Sequence, residues 1–285
     1  TDGYYLHDEM NLTDTLAISG GYRHDQARFR FRPSAPERIS MEQDLFTAGV
    51  NYNFLKNSHV YVSFSKSFRY PVLDELFNFF TNTINTGLLP QQSDNYEAGI
   101  RHFFTDDLSA GINLFQVDTA QEIFFNPANF ANENQPGKTR RNGVEVYAAK
   151  KFDRVSLRGS YTYTDSKIKD GLYAGKEVPD VPQHQVSGEI QFYVGGGVTA
   201  ALNGTYIGER PFISDFSNAF GPQDDYLILN AKVKYRRNRY TAFLDINNLT
   251  NEAYSEYGAL GGFPVEQAFF PSPEINFILG VSADF

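Results

Sequence analysis

The sequence predicts an all-β fold, a transmembrane antiparallel β-barrel of which about thirteen strands are present, and three observations carry that expectation. Segment 275–285 alternates Ile275, Phe277, Leu279 and Val281 with small or polar residues and reaches Phe285 with no following loop. This is a strand with one oily face, and lipid admits only helices and closed sheets because every backbone polar group must find a partner. No window holds the ~18 consecutive apolar residues of a spanning helix, and the mean hydropathy is −0.42. A barrel looks hydrophilic on average, because only about half of each roughly ten-residue strand faces lipid. Aromatic residues, 26 Phe and 18 Tyr, make up 15% of the chain, enough to supply girdles at two membrane interfaces.

Period-two alternation marks each strand in turn. The first runs over 3–10. Short connectors near 11–14, 54–58, 105–107, 151–154, 194–197 and 236–239 then alternate with long ones near 29–40, 70–92, 119–138, 165–183, 211–224 and 250–273. Tight turns on the periplasmic side and long loops outside would give this alternation. The clearest strand sets Val155, Leu157, Gly159, Tyr161 and Tyr163 against Ser156, Arg158, Ser160, Thr162 and Thr164. Val198–Tyr206 and Leu227–Tyr235 divide the same way, which aims Lys232 and Lys234 at the lumen. Tyr52, Tyr61, Tyr163, Tyr235 and Tyr240 are expected in the girdles. A single domain over 1–285 is expected, since no Pro-rich or Gly/Ser-rich linker divides the chain. The strands at 3–10 and 274–285 run the same way, so an odd set cannot close by antiparallel pairing, and further strands are expected before Thr1.

Composition excludes several functions. The chain has no Cys, hence no disulfide framework, thiol nucleophile or thiolate metal site. A net charge of −9 argues against nucleic-acid binding. No signal peptide is visible at Thr1. The histidines His7, His24, His59, His102 and His184 are scattered, with no HExxH spacing and no implied triad. No catalytic residue, protein-bound metal or cofactor is expected. The triplets at Asn11, Asn203 and Asn248 match a glycosylation pattern but read as turn and strand residues.

Six segments in order point to a family. Ser67-Phe-Arg-Tyr-Pro-Val-Leu-Asp-Glu-Leu76 resembles the FRAP...EL box of TonB-dependent outer-membrane receptors, and Leu89-Pro-Gln-Gln-Ser-Asp-Asn-Tyr-Glu-Ala-Gly99 is similar to the segment that follows it. Arg141–Tyr147, Val178–His184, Ile246–Tyr254 and the terminal Phe285 extend the match over essentially the whole chain. The resemblance implies the C-terminal part of a barrel of about 22 strands with a plugged lumen, the plug, its TonB box and roughly nine strands being absent. It also implies location in the outer membrane of a Gram-negative bacterium and uptake of a ferric siderophore, with iron present only inside the transported chelate. The implied partners are outer-membrane lipid, the TonB complex through the absent N-terminal region, and the barrel assembly machinery through the C-terminal strand. The motif residues Phe68, Arg69, Pro71, Glu75, Tyr96, Glu97, Gly99 and Phe285 are assigned structural roles. Pro71 forces extended backbone before it and a carboxylate pairs with Arg69. Gly99 and Gly143 permit close approach, and Glu97 and Glu145 face the lumen, paired with Arg101 or Lys150 or meeting the plug.

Ligand chemistry is then expected in the exterior loops. Phe79, Phe80, Phe125, Phe212, Tyr254, Tyr257 and Phe263 supply rings, and Arg140, Arg141 and Arg210 supply cations, a combination that suits an anionic, partly aromatic iron chelate. Packing of the loops against one another is the competing role for the rings. Haem falls behind other ligands because 69–90 contains no His. Cobalamin or another nutrient stays open. So do a passive diffusion or structural barrel and, less favoured, an outer-membrane enzyme.

Overall fold

The computed structural model describes residues 1–32, 38–78, 81–126, 129–262 and 264–284. In chain order the elements are β1 (Asp2–Asn11), β2 (Leu16–Arg30), β3 (Arg38–Leu55) and β4 (Ser58–Arg69). A short helix α1 (Leu73–Leu76) and the small hairpin β5 (Phe77–Asn78) and β6 (Thr83–Ile84) follow. Next come β7 (Gln91–Thr105), β8 (Leu108–Ala120), β9 (Ile123–Asn126), β10 (Ala131–Asn134), β11 (Thr139–Lys151) and β12 (Val155–Ile168). Then come β13 (His184–Gly195), β14 (Val198–Ile207), β15 (Tyr226–Arg237), β16 (Tyr240–Asn247), β17 (Ser255–Gly261), β18 (Glu266–Pro271) and β19 (Asn276–Ala283).

Thirteen of these strands form one antiparallel meander, in the order β1-β2-β3-β4-β7-β8-β11-β12-β13-β14-β15-β16-β19. The other six pair off as three hairpins inside the long connections. One end of the sheet carries the tight turns. At the turn between β13 and β14, Gly195, Gly196 and Gly197 have φ of 98°, 60° and 85°, left-handed values that glycine adopts without a Cβ penalty. All six long connections emerge from the opposite end. β1 and β19 each have one neighbour, so the sheet is open, and because they run the same way closure needs an odd number of further strands between them.

The alternation survives intact. One face presents Val62 (61% exposed), Leu114 (56%) and Leu279 (78%), with Tyr52, Tyr163, Tyr235 and Tyr240 on the same face. A single-layer sheet has no second layer to cover such a surface, and water would not tolerate an apolar area of this extent. The other face is polar and bonded across strands. Arg158 donates to Glu189 at 2.7 Å, Asn230 to Asn203 at 3.0 Å and Lys232 to Asp245 at 3.0 Å. Buried hydrophobic clusters are small and gather where the long loops meet the sheet: Met41, Leu76 and Leu88 in one, Ile168, Val178 and Phe216 in another.

Several details differ from expectation. Tyr61 lies on the polar face, where its hydroxyl bonds Asn113 at 2.9 Å, so it is not a girdle residue. Glu97 and Glu145 do face inward, but both accept from the Asn113 amide, at 3.5 and 3.2 Å, and neither pairs with Arg101 or Lys150. Lys150 sits over the Phe152 ring instead, and Arg101 over Phe103 and Tyr147. The polar face also repeats one packing device. Tyr61, Tyr147, Phe115 and Phe243 stand directly across from Gly99, Gly111, Gly143 and Gly280. A Cβ on any of the four glycines would collide with the facing ring. The glycines leave room for neighbouring aromatics, a known way to make a glycine good in a strand.

Candidate functional site

The long loops are built up from their anchors. Where β4 ends, Arg69 donates through Nη1 to both Glu75 oxygens at 2.9 and 2.8 Å, and Glu75 Oε2 also accepts the Val72 amide at 2.8 Å. Pro71 and Leu76 are fully buried, Leu76 against Met41 and Leu88. Phe68 packs edge-on against Tyr70 at 4.7 Å, and the Tyr70 hydroxyl donates to the carbonyls of Asp25 and Met41. Burial, with the nearby Asp25 charge, pushes the Tyr70 phenol up to about 12, so it stays a donor. The box is therefore a clamp that turns the chain from strand into loop. The charged pair is partly exposed. An Arg69→Ala and Glu75→Ala double-mutant cycle, read by denaturant unfolding, should give a coupling of about 1 kcal/mol, below that of a buried pair.

Asparagines fuse the loops at 70–90 and 121–138. Asn85 donates to the Asn132 carbonyl at 2.7 Å, while Asn134 accepts the Leu89 amide and donates to the carbonyls of Leu89 and Gln121. Between these loops lies a cavity of about 570 Å³ lined by Phe77, Phe125 and Phe130 together with Asp74, Glu133 and Asn85. Phe125 is 41% exposed.

Three later loops, at 169–183, 208–225 and 248–275, meet on Arg210. Its side chain is 3% exposed. It donates to Asp180 at 3.2 Å and to the carbonyls of Ser255 and Glu256, and it stacks over Tyr226 at 5.6 Å. Burial raises the Asp180 carboxyl above its ordinary range, partly offset by the Arg210 charge. Phe212 is wholly buried, edge-on to Phe269 at 5.3 Å. Tyr254 packs on Tyr226 at 4.7 Å, and Tyr257, facing Phe270, is 47% exposed. Asn248 is buried and bonds the Glu252 amide and carbonyl and the Pro273 carbonyl, closing the base of the last loop. The two loop groups join where Phe124 meets Phe216 at 4.4 Å and Ser214 donates to the Phe125 carbonyl.

The expected ligand residues thus separate. Phe125, Tyr254 and Tyr257 reach cavities or solvent in the loops. Phe212 and Arg210 are internal to the loop packing. Arg140 shares the face of Val144 and Val146 and holds Asp118 through two bonds of 2.5 and 2.7 Å, away from the loop aromatics. Arg141 points the opposite way and donates to Glu122 at 2.6 Å and to Thr139. All three arginines are committed to carboxylates of the chain itself. Tyr96 lies on the apolar face, 5.1 Å from Phe64, and Glu97 and Gly99 on the polar one. Phe79, Phe80, Phe263 and Phe285 lie outside the described residues. The asparagine latch escapes the sequence reading, and Arg210, which the sequence offers as a ligand cation, is instead a node of loop packing. The Asn-Glu-Asn run at 132–134 was the available signal for the first, and nothing local marked the second.

Comparison with known proteins places this architecture. Residues 1–249 match the family described as TonB dependent receptor-like, beta-barrel. The ferrichrome outer membrane transporter/phage receptor of Escherichia coli K12 is 25% identical over 91% of this chain, which spans 36% of that protein. An uncharacterized TonB-dependent receptor of Haemophilus influenzae is 26% identical over 90% of this chain and 78% of its own length. The siderophore receptor PiuA of Acinetobacter baumannii superposes with a TM-score of 0.77 over 99% of this chain and 42% of its own, at 19% identity. The apolar face is thus the lipid-facing wall of an outer-membrane barrel, the polar face lines its lumen, and the chain belongs to the TonB-dependent receptor β-barrel family, of whose wall it forms thirteen strands.

Proposed function

We propose that the complete receptor takes up a ferric siderophore from outside the cell through a plugged lumen, with TonB supplying the energy. The observation that carries this reading is the fused rim of long loops, whose cavities set exposed rings such as Phe125 beside polar side chains. Kinship with a receptor named for ferrichrome supports an iron chelate as cargo. The lumen wall supports a plug: Glu97 and Glu145 share one amide and have no ion-pair partner among the described residues. Two inward carboxylates of this kind suit a cation on a domain seated in the lumen.

The test is iron uptake by cells whose only receptor is the full-length protein, supplied with ferric trihydroxamates, catecholates and pyoverdine-type chelates carrying radioactive iron. At least one chelate should enter, and its entry should stop when a protonophore collapses the membrane potential. Entry that persists without energy would mean a diffusion barrel. Entry of none of these chelates would remove siderophore uptake.

A further inference from the structure

The tight-turn edge of the wall is polarised in charge. The three turns of its first half, 11–14, 54–58 and 105–107, hold Asp14, Asp106 and Asp107 against Lys56. The three of its second half, 151–154, 194–197 and 236–239, hold Lys151, Arg154, Arg236, Arg237 and Arg239 against Asp153. Lys150 adds a further cation at the end of β11. Turn formation does not require this bias, because 105–107 makes the same kind of tight turn with two aspartates.

Alternation along the strands decides which of these cations meet lipid. Lys150 stands on the face of Val144 and Val146, and its Nζ lies 5.5 Å from the centre of the exposed Phe152 ring. Arg237 follows Tyr235 by two residues and pairs directly with Tyr240 across β15 and β16, so all three share the lipid-facing side. Arg237 is exposed and has no ion-pair partner among the described residues. Arg239, in the turn, lies over the Tyr240 ring at 5.2 Å and donates to its hydroxyl at 3.0 Å. Arg236 points the opposite way and is held by Asp284 at 3.3 Å. The lipid-side cations thus stand beside rings at the lower limit of the apolar wall, the depth of a girdle. A guanidinium or ammonium at that depth lies level with lipid phosphates, and the planar fork of arginine matches a phosphate. A patch with so few carboxylates favours a headgroup of net negative charge over a zwitterionic one.

We propose that the basic half of this edge, from β11 to β16, is a docking surface for anionic phospholipid of the inner leaflet, the side on which the tight turns of such a barrel lie. Lys150, Arg237 and Arg239 meet the phosphates, while the rings of Phe152, Tyr235 and Tyr240 lie beside the glycerol groups. The aspartates of the other half disfavour the same lipid. The receptor therefore carries an asymmetric lipid shell, whatever cargo it takes up.

The test uses full-length receptor in phosphatidylcholine vesicles. A fluorophore is placed on Val194→Cys, between the two basic corners, or on Leu12→Cys, in the first acidic turn; both positions are exposed, and each cysteine is made the only one in its variant. Acyl-chain spin-labelled phosphatidylglycerol or phosphatidylcholine, added in equal amount, quenches the fluorophore according to its local concentration. At Val194→Cys phosphatidylglycerol should quench as though enriched about fivefold over phosphatidylcholine, and high salt should erase the difference. At Leu12→Cys phosphatidylglycerol should quench no more than phosphatidylcholine. Adding Lys150→Gln, Arg237→Gln and Arg239→Gln together should abolish the enrichment at Val194→Cys. Heat-modifiable gel mobility checks that each variant folds. Should the triple change prevent folding, Arg237→Gln alone replaces it and should lower the enrichment about twofold. Equal quenching by the two lipids at Val194→Cys, as a periplasmic protein partner would give, overturns the proposal. So does the same enrichment at Leu12→Cys, or enrichment unchanged in the folded variant.

Discussion

Replacing Arg210 with alanine is expected to release the outer loops while leaving the strands in place. The guanidinium touches 169–183 through Asp180, 248–275 through the carbonyls of Ser255 and Glu256, and Tyr226 at the strand end. Its loss leaves three partly buried acceptors without this donor. Arg210 is buried but Asp180 is 37% exposed, so truncation costs about 2 kcal/mol, below the value for a pair buried on both sides. Hydrogen exchange should show faster exchange of amides in all three loops, with β13 to β16 still protected. Arg210→Lys should fall between the two, because an ammonium keeps the charge but cannot reach Asp180 and both carbonyls with one planar fork. Uniform exchange across loops and strands, or none, would show that the node does not hold the rim together. Acid should not mimic the mutation. Burial raises the Asp180 carboxyl in the folded state, so its protonated form contributes stability that is fully present below the unfolded value of about 3.9. That contribution is lost as pH rises through the higher folded value. Mild acid therefore does not open the rim through Asp180.

Gly143→Ala is the second large effect, and it should act on the barrel wall itself. A Cβ there would lie 2.5 Å from the Tyr163 carbonyl oxygen and against the Phe115 ring. The carbonyl is held in the ladder between β11 and β12 and cannot move aside. Overpacking of this kind costs about 1–3 kcal/mol. Gly159→Ala, in the neighbouring strand, is the control. Its Cβ would meet only the Ser187 carbonyl oxygen at 3.5 Å, an ordinary contact, so the change should be neutral or slightly stabilising. Gly99→Ala separates ring from backbone. The three atoms nearest a Cβ there all belong to the Tyr61 side chain, so Tyr61→Ala should rescue it, whereas Phe115→Ala should rescue Gly143→Ala only in part. Denaturant titration of the refolded receptor in detergent reads all five variants, and equal costs for Gly143→Ala and Gly159→Ala would sink the argument.

The two predictions concern different parts of the molecule, and sequence was informative to different degrees in each. In the wall, side-chain direction follows from position along the strand. Val155–Thr164 could be divided into two faces because a strand alternates with period two, and Arg158 and Glu189 met where that division put them. The rule fixes direction but not partners. A tyrosine at a strand end suggests a girdle residue, but Val60 and Val62 claim the apolar face and send Tyr61 to the lumen. Glu145 was expected near Lys150, which lies five residues away and so points to the opposite face. Its actual partner, Asn113, stands across the sheet 32 residues earlier.

In the loops no such rule applies. Residue types in 208–225 and 248–275 were visible, but which rings would be buried was not. Phe212 and Tyr257 look alike as loop aromatics, yet one is wholly buried and the other half exposed. Arg140 and Arg141 were assigned together to ligand binding, and adjacent strand positions send them to opposite sides of the sheet.

By itself the sequence determined the all-β class, the alternation of tight turns with long loops, the membership implied by ordered motifs, and the two chemically distinct faces of the wall. Each of these follows from local periodicity or from short segments read in order. Only the tertiary structure decided that the candidate arginines are spent on Asp118, Glu122 and Asp180, that asparagines latch two loops together, and that an acidic, ring-lined cavity opens between the last two. Those features join residues 19 to 51 positions apart in the chain, and strand alternation says nothing about contacts made between loops.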